Sequence, residues 1–176
     1  MIAMRTLFTI DCKDYDPNLP RLARPSVRAI LLRGDTVAMV YSRRHRYYKF
    51  PGGGIEPGES QLAALLREVR EESGLTVLPD SVKEYGCVLR MLLSNDRQHI
   101  FTQQNYYYLC DAEPTAGRQS LDAYEAAEGY TLRWVHPLDA IEANLAATVK
   151  PFEQSMLERE AHVLAQLLEE GYFADL

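Results

Sequence analysis

The segment Gln61–Ser73 constrains this chain most, because it reads as a helix with both ends marked. Pro51-Gly52-Gly53-Gly54 stands before it and Gly74 directly after it. A glycine just past a helical stretch is a common stop, since it enters the left-handed region without steric cost. At about 100° per residue, Leu62, Leu65, Leu66 and Val69 fall on one face. A helix with one apolar stripe needs a sheet or another helix to bury it against.

The rest of the chain offers a sheet. Residues 5–10 read as a short strand, followed by a turn-rich connection over residues 11–25. Residues 27–32 and 36–42 are branched and apolar, and Arg33-Gly34-Asp35 between them is a hairpin signal. Residues 50–58 form a Gly/Pro-rich loop; residues 85–93 and 100–110 read as strands rich in aromatic and branched side chains. Residues 111–128 are polar and small, which predicts a long loop. A strand over 130–135, a short helix over 137–146 and a helix over 152–170 follow. In the last, Leu157, Ala161, Leu164 and Leu168 recur at the spacing of one buried face. Strands interleaved with helices predict an α/β sandwich with a mixed sheet, in one domain over residues 25–176, with residues 1–24 as an N-terminal strand, dimer arm or tail.

Composition narrows the function. The 176 residues carry a net charge of −6, which argues against a uniformly basic nucleic-acid binder. Three widely spaced cysteines and no long apolar run lead to the expectation of a cytoplasmic protein without membrane attachment. The four histidines are scattered, so a zinc site is not expected. No Gly-Lys-Ser/Thr follows the glycines, which excludes a P-loop.

The helix itself carries the chemistry. Glu68 and Glu72 are one turn apart beside the apolar face, and Glu71 lies further round. Three carboxylates thus crowd the helix end that already carries partial negative charge, and like charges at i,i+4 repel. A divalent cation resolves that conflict, and hard Mg²⁺ prefers carboxylate oxygens, water and phosphates. Arg67, four residues before Glu71, is placed to hold it by a bidentate pair.

These residues also form a known pattern. Gly53, five residues, Glu59, seven residues, then Arg67-Glu68-Val69-Arg70-Glu71-Glu72-Ser73-Gly74-Leu75 matches every defining position of the Nudix box. With average residue frequencies, a chance match at a given start is on the order of 10⁻⁹. The chain therefore resembles the Nudix hydrolase superfamily. The resemblance implies a Nudix-type α/β/α sandwich and Mg²⁺-dependent hydrolysis of a phosphoanhydride in a nucleoside diphosphate linked to another moiety, with Mn²⁺ as substitute. It implies Glu68, Arg67 and Glu71 as catalytic residues. Glu68, Glu71, Glu72 and the Gly53 carbonyl would hold the metal, with Glu59 in support and Glu128 as an added ligand from a loop. The proton acceptor would be Glu68, or else Glu125 or Glu128.

Substrate contacts are expected from Arg43, Arg46, Lys49 and Tyr48 just upstream, and from Gly52 and Gly54, whose backbone phosphate can approach. The tyrosine run Tyr106-Tyr107-Tyr108 reads as either base-stacking or core. The box recognises only a pyrophosphate, and Arg90-Met91-Leu92-Leu93 beyond it matches neither an ADP-ribose nor a dinucleoside-polyphosphate pattern. The expected partner is a small nucleotide or nucleoside triphosphate, with no stable nucleic-acid complex and a possible homodimer through the N-terminal segment. The alternatives are a nucleotide sensor that binds without turnover and a hydrolase acting on RNA 5′ ends.

Overall fold

A computed structural model describes residues 3–173. In chain order the strands are β1 (Thr6–Asp11), β2 (Arg21–Ala23), β3 (Ser26–Ile30), β4 (Leu32–Arg33), β5 (Thr36–Ser42), β6 (Tyr48–Lys49) and β7 (Gly52–Gly54). Helix α1 (Gln61–Ser73) follows, then β8 (Lys83–Leu93), β9 (Ile100–Leu109), α2 (Ala123–Glu128), β10 (Tyr130–Val135), α3 (Pro137–Ala146) and α4 (Pro151–Glu169). Two sheets result. The larger runs β1-β8-β9-β3-β7, with β2 on the same edge of β9 as β3. It is mixed: β1/β8 and β3/β9 are parallel, whereas β8/β9 and β3/β7 are antiparallel. The smaller, antiparallel sheet runs β10-β5-β4, with β6 also on β5.

The alternation of β3 sorts the two cores. Val27, Ala29 and Leu31 join Ala64, Leu65 and Val69 of α1. Ile30 points the other way, into a cluster with Tyr107, Val163 and Leu164 beneath α4. The mixed sheet is therefore covered on opposite faces by α1 and α4, the sandwich the sequence predicts. Of the readings open for the N-terminal segment, a strand, a dimer arm or a tail, residues 6–11 take the first and pair with β8 as an edge strand of this sheet. Tyr107 is fully buried on the α4 side and Tyr108 joins the α1 core, so this run is mostly core rather than a stacking platform.

Two expectations fail locally. Leu62 lies on the predicted stripe yet remains 42% exposed, because burial along α1 begins only at Ala64. The segment 111–128 is not all loop: Asp122 caps α2 by accepting from Glu125 N at 2.8 Å, while Glu125 Oε2 accepts from Asp122 N at 2.9 Å. That reciprocal capping box is legible as Asp-x-x-Glu, and the small, polar composition obscured it.

Candidate active site

Helix α1 starts on Ser60, whose hydroxyl accepts from Ala63 N, and ends on Gly74 at φ +77°. Its end is not left to solvent. Ser120 N donates to the Glu71 carbonyl at 2.7 Å, Gln119 Nε2 to the Glu72 carbonyl at 2.6 Å and Gly117 N to Gly74 at 2.7 Å. The segment before α2 thus supplies donors that the last helical turn lacks, and it brings α2 alongside the acidic end of α1.

The three box carboxylates meet different surroundings. Glu72 lies about 20° from Leu65 on the helical wheel, on the side away from Val69, and is fully buried because the buried arc of α1 runs past Leu65 to Ala64. It is tolerated there because it is paired. Its Oε2 accepts from Gly52 N at 3.0 Å, and its Oε1 pairs with the Lys49 ammonium. Lys49, itself buried, lies 4.6 Å from the Tyr130 ring centre. Asn144 of α3 holds this hairpin by pairing with both the N–H and the carbonyl of Tyr48, at 2.7 and 2.8 Å. Lys49, expected to contact a substrate, is held in this ion pair with Glu72.

Glu68 lies against Gly53: a Cβ at that position would overlap its carboxylate. Burial raises the Glu68 pKa, and the charges of Glu72 and Glu71 push the same way, outweighing the nearby Arg67. Arg67 does not form the expected bidentate pair with Glu71. Its Nε and Nη2 grip the two oxygens of Glu59, each at 2.8 Å, and Nη1 reaches Glu68 at 2.6 Å and Glu71 at only 3.4 Å. Nη2 also donates to the Gly54 carbonyl at 3.1 Å. The fork prefers Glu59 because that residue returns from the loop to face it. Arg67 and a Glu56 backbone contact hold Glu59 down to about 2. Among the described residues no three acids stand around one point where an ion could touch them all; they are turned onto Arg67 and Lys49 instead.

The loop acids divide in a way the sequence could not order. Glu128, expected as a metal ligand, is 3% exposed and its Oε2 accepts from Ser42 Oγ at 2.8 Å and meets His45 Nδ1 at 2.9 Å. It ties the β5–β6 turn to α2, with Arg44 N donating to its carbonyl at 3.1 Å. Glu125 is the acid whose charge is felt by the site: burial raises its pKa, and Glu72 adds to the rise. Arg43 and Arg46 are exposed, and Arg46 adopts φ +59°, a sparsely populated region for such a side chain. Arg46 and Tyr48 line a cavity of about 550 Å³ with Tyr41, Arg44 and His45, on the α3 side of the hairpin.

A sandwiched mixed sheet with an acid-ended helix behind a triple-glycine loop defines a Nudix-type domain. The NUDIX domain model matches residues 22–159, and the chain belongs to that family. It is 31% identical over 123 residues to an RNA pyrophosphohydrolase of Xanthomonas campestris and 30% identical to one of Stenotrophomonas maltophilia. Both alignments cover 64% of this chain, and the chain spans 58% of the length of these curated relatives. The fold matches the solution structure of the E. coli ORF135 protein (TM-score 0.55, 22% identity, 86% of this chain and 94% of that one). It also matches the MutT protein from Bacillus halodurans (TM-score 0.55, 22% identity, 80% and 82%).

Proposed function

We propose that this chain hydrolyses a phosphoanhydride bond in a nucleoside diphosphate linked to another group, with Mg²⁺ as cofactor and Mn²⁺ as substitute. The observation that carries this reading is Glu68: a carboxylate of raised pKa, fixed by Arg67 in a space that only glycine at position 53 leaves open. A carboxylate so raised is a better proton acceptor at neutral pH than an ordinary one. The similarity to curated RNA pyrophosphohydrolases supports the same reaction class.

The donor set suits a hard cation. Glu59, Glu68, Glu71 and Glu72 are answered by two cations, Arg67 and Lys49, which leaves two negative charges in excess. Glu68, Glu71, Glu72 and the Gly53 carbonyl would hold the metal, with Glu59 behind them. Bound there, it would neutralise pyrophosphate oxygens and acidify the attacking water. Glu68 would accept the proton of the attacking water. Arg67 orients Glu68 through its Nη1 while anchored on Glu59 and Gly54. Lys49 offsets the deepest carboxylate, Glu72.

The favoured substrate is a small nucleotide or nucleoside triphosphate. A second reading, an RNA 5′ end, is favoured by the cavity beside Arg44, Arg46, Tyr41 and Tyr48, which offers cations and aromatic rings on the α3 side of the hairpin. The test is a panel of nucleoside diphosphate derivatives, nucleoside triphosphates and a 5′-triphosphorylated RNA oligomer with Mg²⁺, read by phosphate or pyrophosphate release and product mass. Release from at least one compound, lost in Glu68→Gln, supports the proposal. Tight binding without any release makes the protein a sensor. If Glu125→Gln alone abolishes release, the proton acceptor is Glu125.

A further inference from the structure

The α4 face of the mixed sheet holds a second charged cluster, built from other residues. Arg28 on β3, Arg90 on β8 and Arg159 on α4 are 6%, 3% and 0% exposed, and the carboxylate buried with them is Glu160. Glu160 is already committed. Arg159 Nη2 donates to its Oε1 at 2.5 Å, and Tyr107 donates to its Oε2 at 3.1 Å. Arg159 Nη1 is also spent, on Asn105 Oδ1 at 2.6 Å and Gln103 Oε1 at 3.1 Å.

Arg28 and Arg90 have no carboxylate partner among the described residues. Arg28 donates from Nη1 to the Gly52 carbonyl at 2.9 Å. Arg90 reaches the Phe152 carbonyl and the Ser155 hydroxyl, both at 3.3 Å, and lies 5.2 and 5.0 Å from the Phe101 and Phe152 ring centres. The Nε–H groups of Arg28, Arg90 and Arg159 all lack an acceptor. Burial, together with Arg159 and Arg28, brings Arg90 down to about 9, which still leaves it charged at neutral pH.

Three guanidiniums against one carboxylate leave two positive charges inside the protein. Buried charge without a counter-charge is costly, and an apolar side chain of similar volume at position 90 would serve packing better. The orphaned N–H groups add to that cost. A surplus of buried cation and donor is what an anion-binding site needs and what a core does not.

We infer that Arg28 and Arg90 are the ligands of a phosphate dianion, with Arg159 as a positioning residue held by Glu160. The charge of the ligand equals the surplus, and guanidinium forks match phosphate oxygens. The two proposed ligands are the arginines that retain some exposure, beside half-buried Gln103 and Phe152. Through Arg28 the site abuts Gly52, whose N–H holds Glu72. The occupant therefore lies next to the loop that leads into α1. The phosphate is either free or a monoester carried by a larger molecule.

The experiment needs neither metal nor turnover, so its failure leaves the hydrolase reading untouched and the reverse holds too. Melting curves are recorded in EDTA with sodium phosphate against sodium chloride at matched ionic strength. Wild type should show a saturable rise of roughly 5–10 °C at phosphate about 100-fold above its Kd. In Arg90→Met the phosphate affinity should fall at least ~10-fold, a tenfold step being the loss of one good contact. In chloride that variant should melt at or above the wild-type temperature. Arg90→Lys, which keeps the charge without the fork, should bind more weakly than wild type and more tightly than Arg90→Met. No phosphate response in wild type, or an equal response in Arg90→Met, overturns the proposal, as does a variant destabilised by the same amount in both salts. The source is read from NADP⁺ against NAD⁺, which differ by one phosphate monoester. Preference for NADP⁺ in wild type but not in Arg90→Met assigns a carried phosphate; a response to inorganic phosphate alone assigns a free one.

Discussion

Two charged clusters sit on opposite faces of one sheet, and they are near mirror images in charge. At the end of α1, four carboxylates face two cations, Arg67 and Lys49. Under α4, three arginines face one carboxylate, Glu160. The peptide of Gly52 joins them: its N–H donates to Glu72 and its carbonyl accepts from Arg28. The acidic cluster is local, made mostly by one helix and the loop before it, with Lys49 as the distant member. The basic cluster draws single residues from β3, β8 and α4, far apart in sequence. The comparison teaches that a polar site can be concentrated in sequence or dispersed through it, while the underlying debt of unbalanced charge is the same.

The sharpest way to break this comparison is to remove the cation the acidic cluster calls for. Excess EDTA should abolish phosphate release while circular dichroism stays unchanged, because Leu65 and Val69, both fully buried, hold α1 without it. Full turnover in chelator would end the metal reading.

Next in size is Glu68→Gln. The change should lower kcat by roughly 10²–10³ and leave the metal-free protein as stable or more so. The sign follows from linkage. The folded pKa of Glu68 is raised, so its contribution is present below the unfolded value and lost as pH rises through the folded one. Melting curves in EDTA from pH 4 to 8 should therefore show the variant pulling ahead of wild type as pH rises. Glu59 behaves oppositely: its depressed pKa contributes stability that is lost only as pH falls toward about 2. A Glu68→Gln variant that loses stability at neutral pH would mark a structural ion pair instead.

A smaller effect separates the arginines of α1. Arg67→Lys should cost roughly 10–100-fold in activity, the scale for residues that orient metal-binding groups, since one ammonium cannot serve Glu59, Glu68 and Gly54 together. Arg70→Lys should change little, because exposed Arg70 reaches only Thr76 Oγ1 at 3.1 Å. Equal losses at both positions would remove Arg67 from its role. The smallest effects concern packing. Leu65→Ala should destabilise by about 2–5 kcal/mol, and Leu62→Ala by less than about 1 kcal/mol, measured by urea unfolding.

Much of this was legible beforehand. The bounds of α1, β5, β10 and α3 follow from period, caps and glycine or proline stops, all of which are local signals. So does the acid cluster, because a helix converts spacing directly into proximity. Glu72 does stand beside the apolar stripe, but the buried arc of α1 is shifted toward Ala64 and away from Leu62, so the carboxylate is covered as well. Lys49 could not be assigned to Glu72, since the pair closes only when β6 folds against α1.

What the sequence alone determined, then, is the family, the sandwich and the row of carboxylates, since each is written in residues within a few turns of one another. Only the tertiary structure decided the partners. It sent Arg67 to Glu59, gave Glu128 to Ser42 and His45, and tied Glu125 to Asp122 in the cap of α2. It also gathered Arg28, Arg90 and Arg159 under one helix. Strand alternation assigns a residue to one face or the other, but which distant charges share that face depends on strand order, and strand order is settled by packing the whole chain.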